Sequence, residues 1–162
     1  MKIVKHVRPP SGLNRLLYRA PIAAYKAHLG WLFGNRFLLL HHTGRVTGKD
    51  RQVVLEVVEH DPHTGTYTVA SGWGPTAAWY RNVLATPQST IEVNGRVIAV
   101  TAVPLSADEG AEVFTRYAVR HRLIARLLLP RLMGFSVDGS AGDYHQVGQR
   151  LPFVRFVPEG AT

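Results

Sequence analysis

Ser89-Thr90-Ile91-Glu92-Val93-Asn94-Gly95-Arg96-Val97-Ile98-Ala99-Val100-Thr101-Ala102-Val103 sets two β-branched runs on either side of Asn94-Gly95. Asn and Gly take positive φ at low cost, so Asn-Gly here predicts a two-residue hairpin turn. The stretch therefore reads as antiparallel strands over residues 89–93 and 96–103.

The same pattern continues upstream. Residues 36–43 are strand-like, with the apolar run Phe37-Leu38-Leu39-Leu40. Gly44-Arg45-Val46-Thr47-Gly48 makes a tight turn, and residues 52–59 form a second strand with Val53, Val54, Leu55, Val57 and Val58. A turn at Asp61-Pro62-His63-Thr64-Gly65 leads to a third strand over 66–71. Gly72-Trp73-Gly74-Pro75 is a loop, and Thr76 is the expected N-cap of a short helix, 77–85, stopped by Pro87.

Downstream, Ser106 opens a helix with Asp108, Glu109 and Glu112 in its first turns, favourable for the N-terminal dipole. It is expected to run to about residue 133, with an interruption near Pro130, followed by a loop over 134–142 and a last strand over 151–157. At the other end, Leu13, Leu16, Leu17, Ala20, Ala24 and His28 recur at helical spacing, predicting a helix over 11–28 kinked at Pro21.

Strands joined by hairpins, without βαβ alternation, exclude a doubly wound sheet. The expected fold is mainly β with helices, of α+β class: about six antiparallel strands closed into a small barrel with helices packed on it. The chain of 162 residues is read as one structural domain, a basic helical arm over 1–35 joined to a barrel over 36–162. That length leaves no room for a full dinucleotide-binding half beside a substrate half.

Composition narrows the chemistry. There are no cysteines, which excludes disulfides, thiolate metal sites, iron–sulfur clusters and a cysteine nucleophile. The formal net charge is +8, and residues 1–51 hold ten Lys/Arg against one acid, Asp50. So lopsided a charge points to an anionic partner. The first helix, with Arg15, Arg19 and Lys26, could rest on an anionic bilayer, although packing on its own domain is the commoner use of such a helix. No signal peptide is expected, because Pro9-Pro10 stands where an apolar run should be. The basic third lacks the interleaved aromatics of a nucleic-acid platform, so no nucleic-acid partner is expected.

No nucleophile elbow, Walker loop or Gly-x-Gly-x-x-Gly follows a strand. Eight histidines are present without a His-x-x-x-His pair on a helix, and the adjacent His41 and His42 face opposite sides of a strand. No metal site is expected. Two other segments stand out. In Thr43-Gly44-Arg45-Val46-Thr47-Gly48-Lys49-Asp50-Arg51, backbone N–H groups, cations and a hydroxyl can converge on an anion, or the turn is simply a soluble hairpin tip. In Ala70-Ser71-Gly72-Trp73-Gly74-Pro75-Thr76-Ala77-Ala78-Trp79-Tyr80-Arg81-Asn82, small residues let a flat ring approach the backbone, while Trp79 and Tyr80 either border that ring or anchor the helix in the core.

Taken together, these segments resemble the deazaflavin-dependent nitroreductase family, which uses coenzyme F420 and includes quinone-reductase-like members. The resemblance is carried by Leu38 through Arg51, by Val69-Ala70-Ser71-Gly72, by Ala78-Trp79-Tyr80-Arg81-Asn82 through Pro87, and by Leu151-Pro152-Phe153-Val154. It implies a split β-barrel and a cofactor made of a deazaflavin ring on a phosphate-bearing oligoglutamate tail, with FMN as the alternative. Arg45, Val46, Thr47, Gly48, Lys49 and Arg51 would hold the tail or phosphate. Gln52, Val53 and Val54 would flank the ring. Ala70, Ser71, Gly72, Trp73, Ala78, Trp79, Tyr80 and Asn82 would line the pocket, and Tyr144 would orient substrate or relay a proton. The implied activity is hydride transfer to a quinone, an activated alkene or a nitroaromatic, in the cytoplasm or at a membrane surface. The rival is a protein on the same barrel that binds F420 or a flavin-like ligand without turnover. Pairing into a homodimer is a further expectation.

Overall fold

The computed structural model describes residues 2–3, 34–72, 74–120, 135–136, 145 and 148–160. Six strands close into an antiparallel barrel: β2 (Phe37–Thr43), β3 (Asp50–Asp61), β4 (Thr66–Ala70), β5 (Gln88–Val93), β6 (Arg96–Pro104) and β8 (Phe153–Pro158), in the order β2-β3-β4-β8-β6-β5. The two-residue strands β1 (Lys2–Ile3) and β7 (Phe135–Ser136) pair with each other outside the barrel. That pair was not expected from sequence, since two residues carry no periodicity. The expected helix over 11–28 lies outside the described residues, as do residues 121–133 of the later one.

Asn94 and Gly95 turn the β5–β6 hairpin with φ of 50° and 74°. Positive φ at both centres matches the right-handed twist of the strands. Strand alternation then sorts the side chains. Leu38, Leu40, Leu55, Val69, Ile91, Val93, Val100, Val154 and Phe156 fill the barrel. Helix α1 (Ala78–Ala85) adds Trp79 and Val83 to that core.

Helix α1 differs from expectation at its start. Gly74–Thr76 is a single 3-10 turn, and Ala77 occupies the N-cap position without a side-chain cap bond. Thr76 is therefore not the cap, because the loop continues winding past it. Helix α2 (Ala107–Arg120) begins one residue after Ser106 with a reciprocal cap: Ser106 N–H donates to Glu109 Oε1 and Glu109 N–H to Ser106 Oγ, both at 3.2 Å. Its buried face, Val113, Phe114, Tyr117 and Ala118, packs with Val58, Leu151 and Phe153 as a second core. Gly148 lets this layer close up, because a Cβ there would lie 2.6 Å from Ala111 Cα.

Candidate functional site

The Gly44–Lys49 turn joins β2 to β3 and is closed by its own backbone. Gly44 N–H donates to Lys49 O and Gly48 N–H to Gly44 O, each at 2.8 Å. Two glycines are required. Gly48 has φ of +69°, and a Cβ on Gly44 would fall 2.8 Å from Thr47 Oγ1. That oxygen also accepts from the Lys49 N–H at 3.3 Å.

The turn is tied to α1 through one buried side chain. Asn82 is 3% exposed, and its Oδ1 accepts from the Arg45 main-chain N–H at 3.1 Å and from Arg45 Nη1 at 2.9 Å. Arginine only donates, so this face of the amide must be the oxygen. The amide nitrogen then points at His42 Nδ1, 3.0 Å away, and donates to it. His42 is therefore held with a bare Nδ1, in its neutral form. Burial drives its pKa down to about 4; Asp50 opposes that shift, while Arg51 and His41 add to it.

The two adjacent histidines do face apart. His42 is buried, whereas His41 stands on the outer barrel face with Nε2 3.0 Å from Glu92 Oε2 and Nδ1 within 3.5 Å of Asp50 and Gln52. Among the described residues, no group of His, Cys, Asp and Glu could hold a metal ion.

Each residue singled out from sequence can now be placed. Arg45, Val46, Thr47, Gly48, Lys49 and Arg51 are exposed at the turn and its exit, with Val46 at the tip, 87% exposed. Neither Lys49 nor Arg51 has an acidic partner among the described residues. Gln52, Val53 and Val54 are half-buried, and they do not all point the same way. Val53 packs on the barrel core, while Gln52 reaches His41 on the outside. By alternation Val54 shares the side of Gln52. Ala70 and Gly72 are half-buried, and Ser71 is buried with its hydroxyl donating to Gly74 O at 2.6 Å. Ala78 is exposed, Trp79 is in the core, and Tyr80 meets Trp79 edge-on at 5.9 Å. Trp73 and Tyr144 lie outside the described residues.

The structure thus brings Arg45 and the Trp79 helix together, through Asn82. The small-residue end of β4 lies further along β3, since Val69 pairs with Val57. From Asp50 to Glu56 the strand spans roughly 20 Å at the usual rise. Helix α1 leads back from the β4 end to the turn. Sequence reasoning missed His42 as a member of the site. Its strand parity with Leu38 and Leu40, followed directly by the Gly44 turn, was the available signal.

The family model for F420H2-dependent quinone reductases matches residues 17–122, a span that includes the turn, both site strands and α1. The chain belongs to that family. No protein of curated function matches it. Among solved structures, an F420H2-dependent reductase is 22% identical, covering 76% of this chain and 95% of its own, with a TM-score of 0.48. A protein of unknown function from Agrobacterium tumefaciens is 18% identical, with 95% of this chain and 60% of that one covered and a TM-score of 0.55. A pyridoxamine 5'-phosphate oxidase-related, FMN-binding protein from Nostoc punctiforme is 15% identical over 87% of this chain and 80% of its own, with a TM-score of 0.50. The last two likenesses bear on the fold. The family membership supports reading the chain as an F420-dependent reductase. Among the described residues, no helix is long and apolar enough to cross a membrane.

Proposed function

We propose that the protein binds F420 along β3 and α1, with the phosphate-bearing tail at the Arg45–Arg51 turn and the ring toward Ala70–Gly72, and reduces a small organic electrophile, a quinone first. The observation that carries this is the charge state of the turn. Arg45 is held by a neutral amide rather than a carboxylate, and Lys49 and Arg51 have no acidic partner among the described residues. Cations without an acidic partner among the described residues, on a turn closed by its own backbone bonds, suit a multiply anionic ligand. The roughly 20 Å between turn and small-residue strand end suits a ligand with an anionic tail and a separate flat head.

Reduced F420 supplies one hydride, which together with one proton converts a quinone to a hydroquinone and leaves the cofactor oxidised. The protein's own part is to bind and to orient. Arg45, Lys49 and Arg51 neutralise the tail. Ala70, Gly72 and the exposed Ala78 offer low relief beside the ring, and Tyr80 borders it. Tyr144 is the residue assigned to orienting substrate or passing the proton. Activated alkenes and nitroaromatics are further electrophiles that the same hydride could reduce.

The test is a fluorescence titration with oxidised F420 and, in parallel, with FMN, followed by oxidation of reduced F420 with and without a soluble quinone. Binding of F420 with quinone-dependent turnover is expected. Binding without turnover of quinone, alkene or nitro compounds would make the protein a carrier. Preference for FMN would reassign the cofactor, in line with the FMN-binding relative in fold.

A further inference from the structure

The turn that bears the cations has little else to fix it. Its tip residue Val46 is almost fully exposed, and its internal bonds close the loop without orienting the Arg45 side chain. One oxygen does that orienting: Asn82 Oδ1 receives both the main-chain N–H and the guanidinium of Arg45. A residue gripped at two points by a single buried atom keeps few rotamers. Of the five guanidinium N–H groups, one is given to Asn82 through Nη1, and the Arg45 side chain makes no other hydrogen bond among the described residues.

Asn82 is itself fixed. An amide can rotate end for end, but Arg45 accepts nothing and His42 Nδ1 has a lone pair, so only one orientation satisfies both neighbours. Flipping it would set the amide N–H groups against the donors of Arg45 and leave the buried His42 nitrogen facing an oxygen. His42 is anchored in turn by β2, where it pairs with Arg51 across the ladder. The chain of contact runs from barrel strand to helix to turn, and it ends at the cation.

We propose that Asn82 is a positioning residue for ligand binding: with its amide set by His42, it holds Arg45 in the orientation that receives the phosphate-bearing part of an anionic ligand. The inference rests on the turn being the anion-holding end of the site, as proposed above, and goes beyond it by assigning binding strength to a residue that need not touch the ligand. An asparagine also does what a carboxylate could not. It grips arginine without cancelling the charge that the ligand needs.

The experiment measures the F420 dissociation constant by fluorescence for the wild type, Arg45→Ala, Asn82→Ala and the double variant, with folding checked by circular dichroism. Arg45→Ala should weaken binding about tenfold or more, and Asn82→Ala by a comparable factor. The double variant should be no weaker than Arg45→Ala alone, because Asn82 acts through Arg45. In turnover, Asn82→Ala should raise the F420 KM and leave kcat at saturating F420 unchanged. If Arg45→Ala weakens binding but the Asn82 loss is absent, or multiplies with it, the positioning role is wrong while the turn remains the anion site. If Arg45→Ala changes nothing, the turn itself is misassigned. Should Asn82→Ala not fold, amide hydrogen exchange on the wild type still decides. The clamped Arg45 N–H should exchange at least about tenfold more slowly than that of the exposed Val46, and equal rates would overturn the clamp.

Discussion

Helices α1 and α2 each make a polar contact to the barrel, and the two contacts are built in opposite ways. On α2, Arg116 meets the Glu59 carboxylate through Nη2 at 3.0 and 3.2 Å, and the Tyr117 hydroxyl donates to Glu56 at 2.7 Å. Burial and that hydrogen bond hold the Tyr117 phenol well above its usual range. Charge is met with charge, beside the apolar contacts of Phe114 and Phe153. On α1, the arginine comes from the turn and its partner is a neutral asparagine. The α2 side pairs its charges within the fold. The α1 side keeps its charge unspent, which is what a binding surface requires.

The largest expected effect separates these roles at the α2 side. Phe153 is buried, with its ring 6.2 Å from that of Phe114. Phe153→Ala should cost about 3–5 kcal/mol by opening a cavity, measured by urea unfolding. Because Phe153 pairs with Ala70 across β8 and β4, F420 affinity per folded molecule should fall somewhat, but much less than for Arg45→Ala. A large loss of affinity in the folded fraction would show that the two sides are not independent.

The next effect belongs to the α1 side and reads its buried histidine. His42 has a folded-state pKa of about 4 against roughly 6.5 in an unfolded chain. Between these values the unfolded state binds the extra proton, so stability rises with pH there. The contribution is complete above about pH 6.5 and is lost as pH falls toward 4, on the order of 3 kcal/mol in total. Urea unfolding across pH 4.5–7 should show this slope, and His42→Asn, which cannot titrate, should flatten it. An equal slope in both proteins would mean that His42 is not the group responsible.

A third variant tests the comparison directly by making the α1 contact resemble the α2 one. Asn82→Asp keeps an acceptor for both Arg45 donors but supplies the missing negative charge. It should weaken F420 binding about tenfold, with the deficit shrinking as salt is added. Unchanged affinity would show that the charge on Arg45 is not what the ligand uses.

The sequence made much of this legible where the signal was local. Asn94-Gly95 and the alternation around it marked the hairpin, and the adjacency of His41 and His42 on one strand placed them on opposite faces. Strand ends slipped by one or two residues because pairing, not composition, sets them: β3 begins at Asp50, which pairs with Thr43. The cationic turn and the Asn82 helix were both visible as segments. Their joining was not, since a contact across 37 positions leaves no trace in periodicity. Alternation along β3 already separates Gln52 from Val53, but which of the two the barrel encloses is set by closure of the sheet.

The smallest effect is expected at the most conspicuous ion pair. Arg116 and Glu59 meet at 3.0 Å, yet the Arg116 side chain is 51% exposed. Water screens such a pair, and ordering two long side chains costs entropy that offsets the attraction. Arg116→Gln should therefore change stability by less than about 1 kcal/mol and leave the F420 dissociation constant alone, as read by urea unfolding and fluorescence titration. Arg45→Gln, the same substitution on the other side, should likewise change stability little but cause a clear loss of affinity. If the two variants behaved alike, the distinction between charge spent on the fold and charge kept for a ligand would not hold, because the same side chain removed from either place would have removed the same thing.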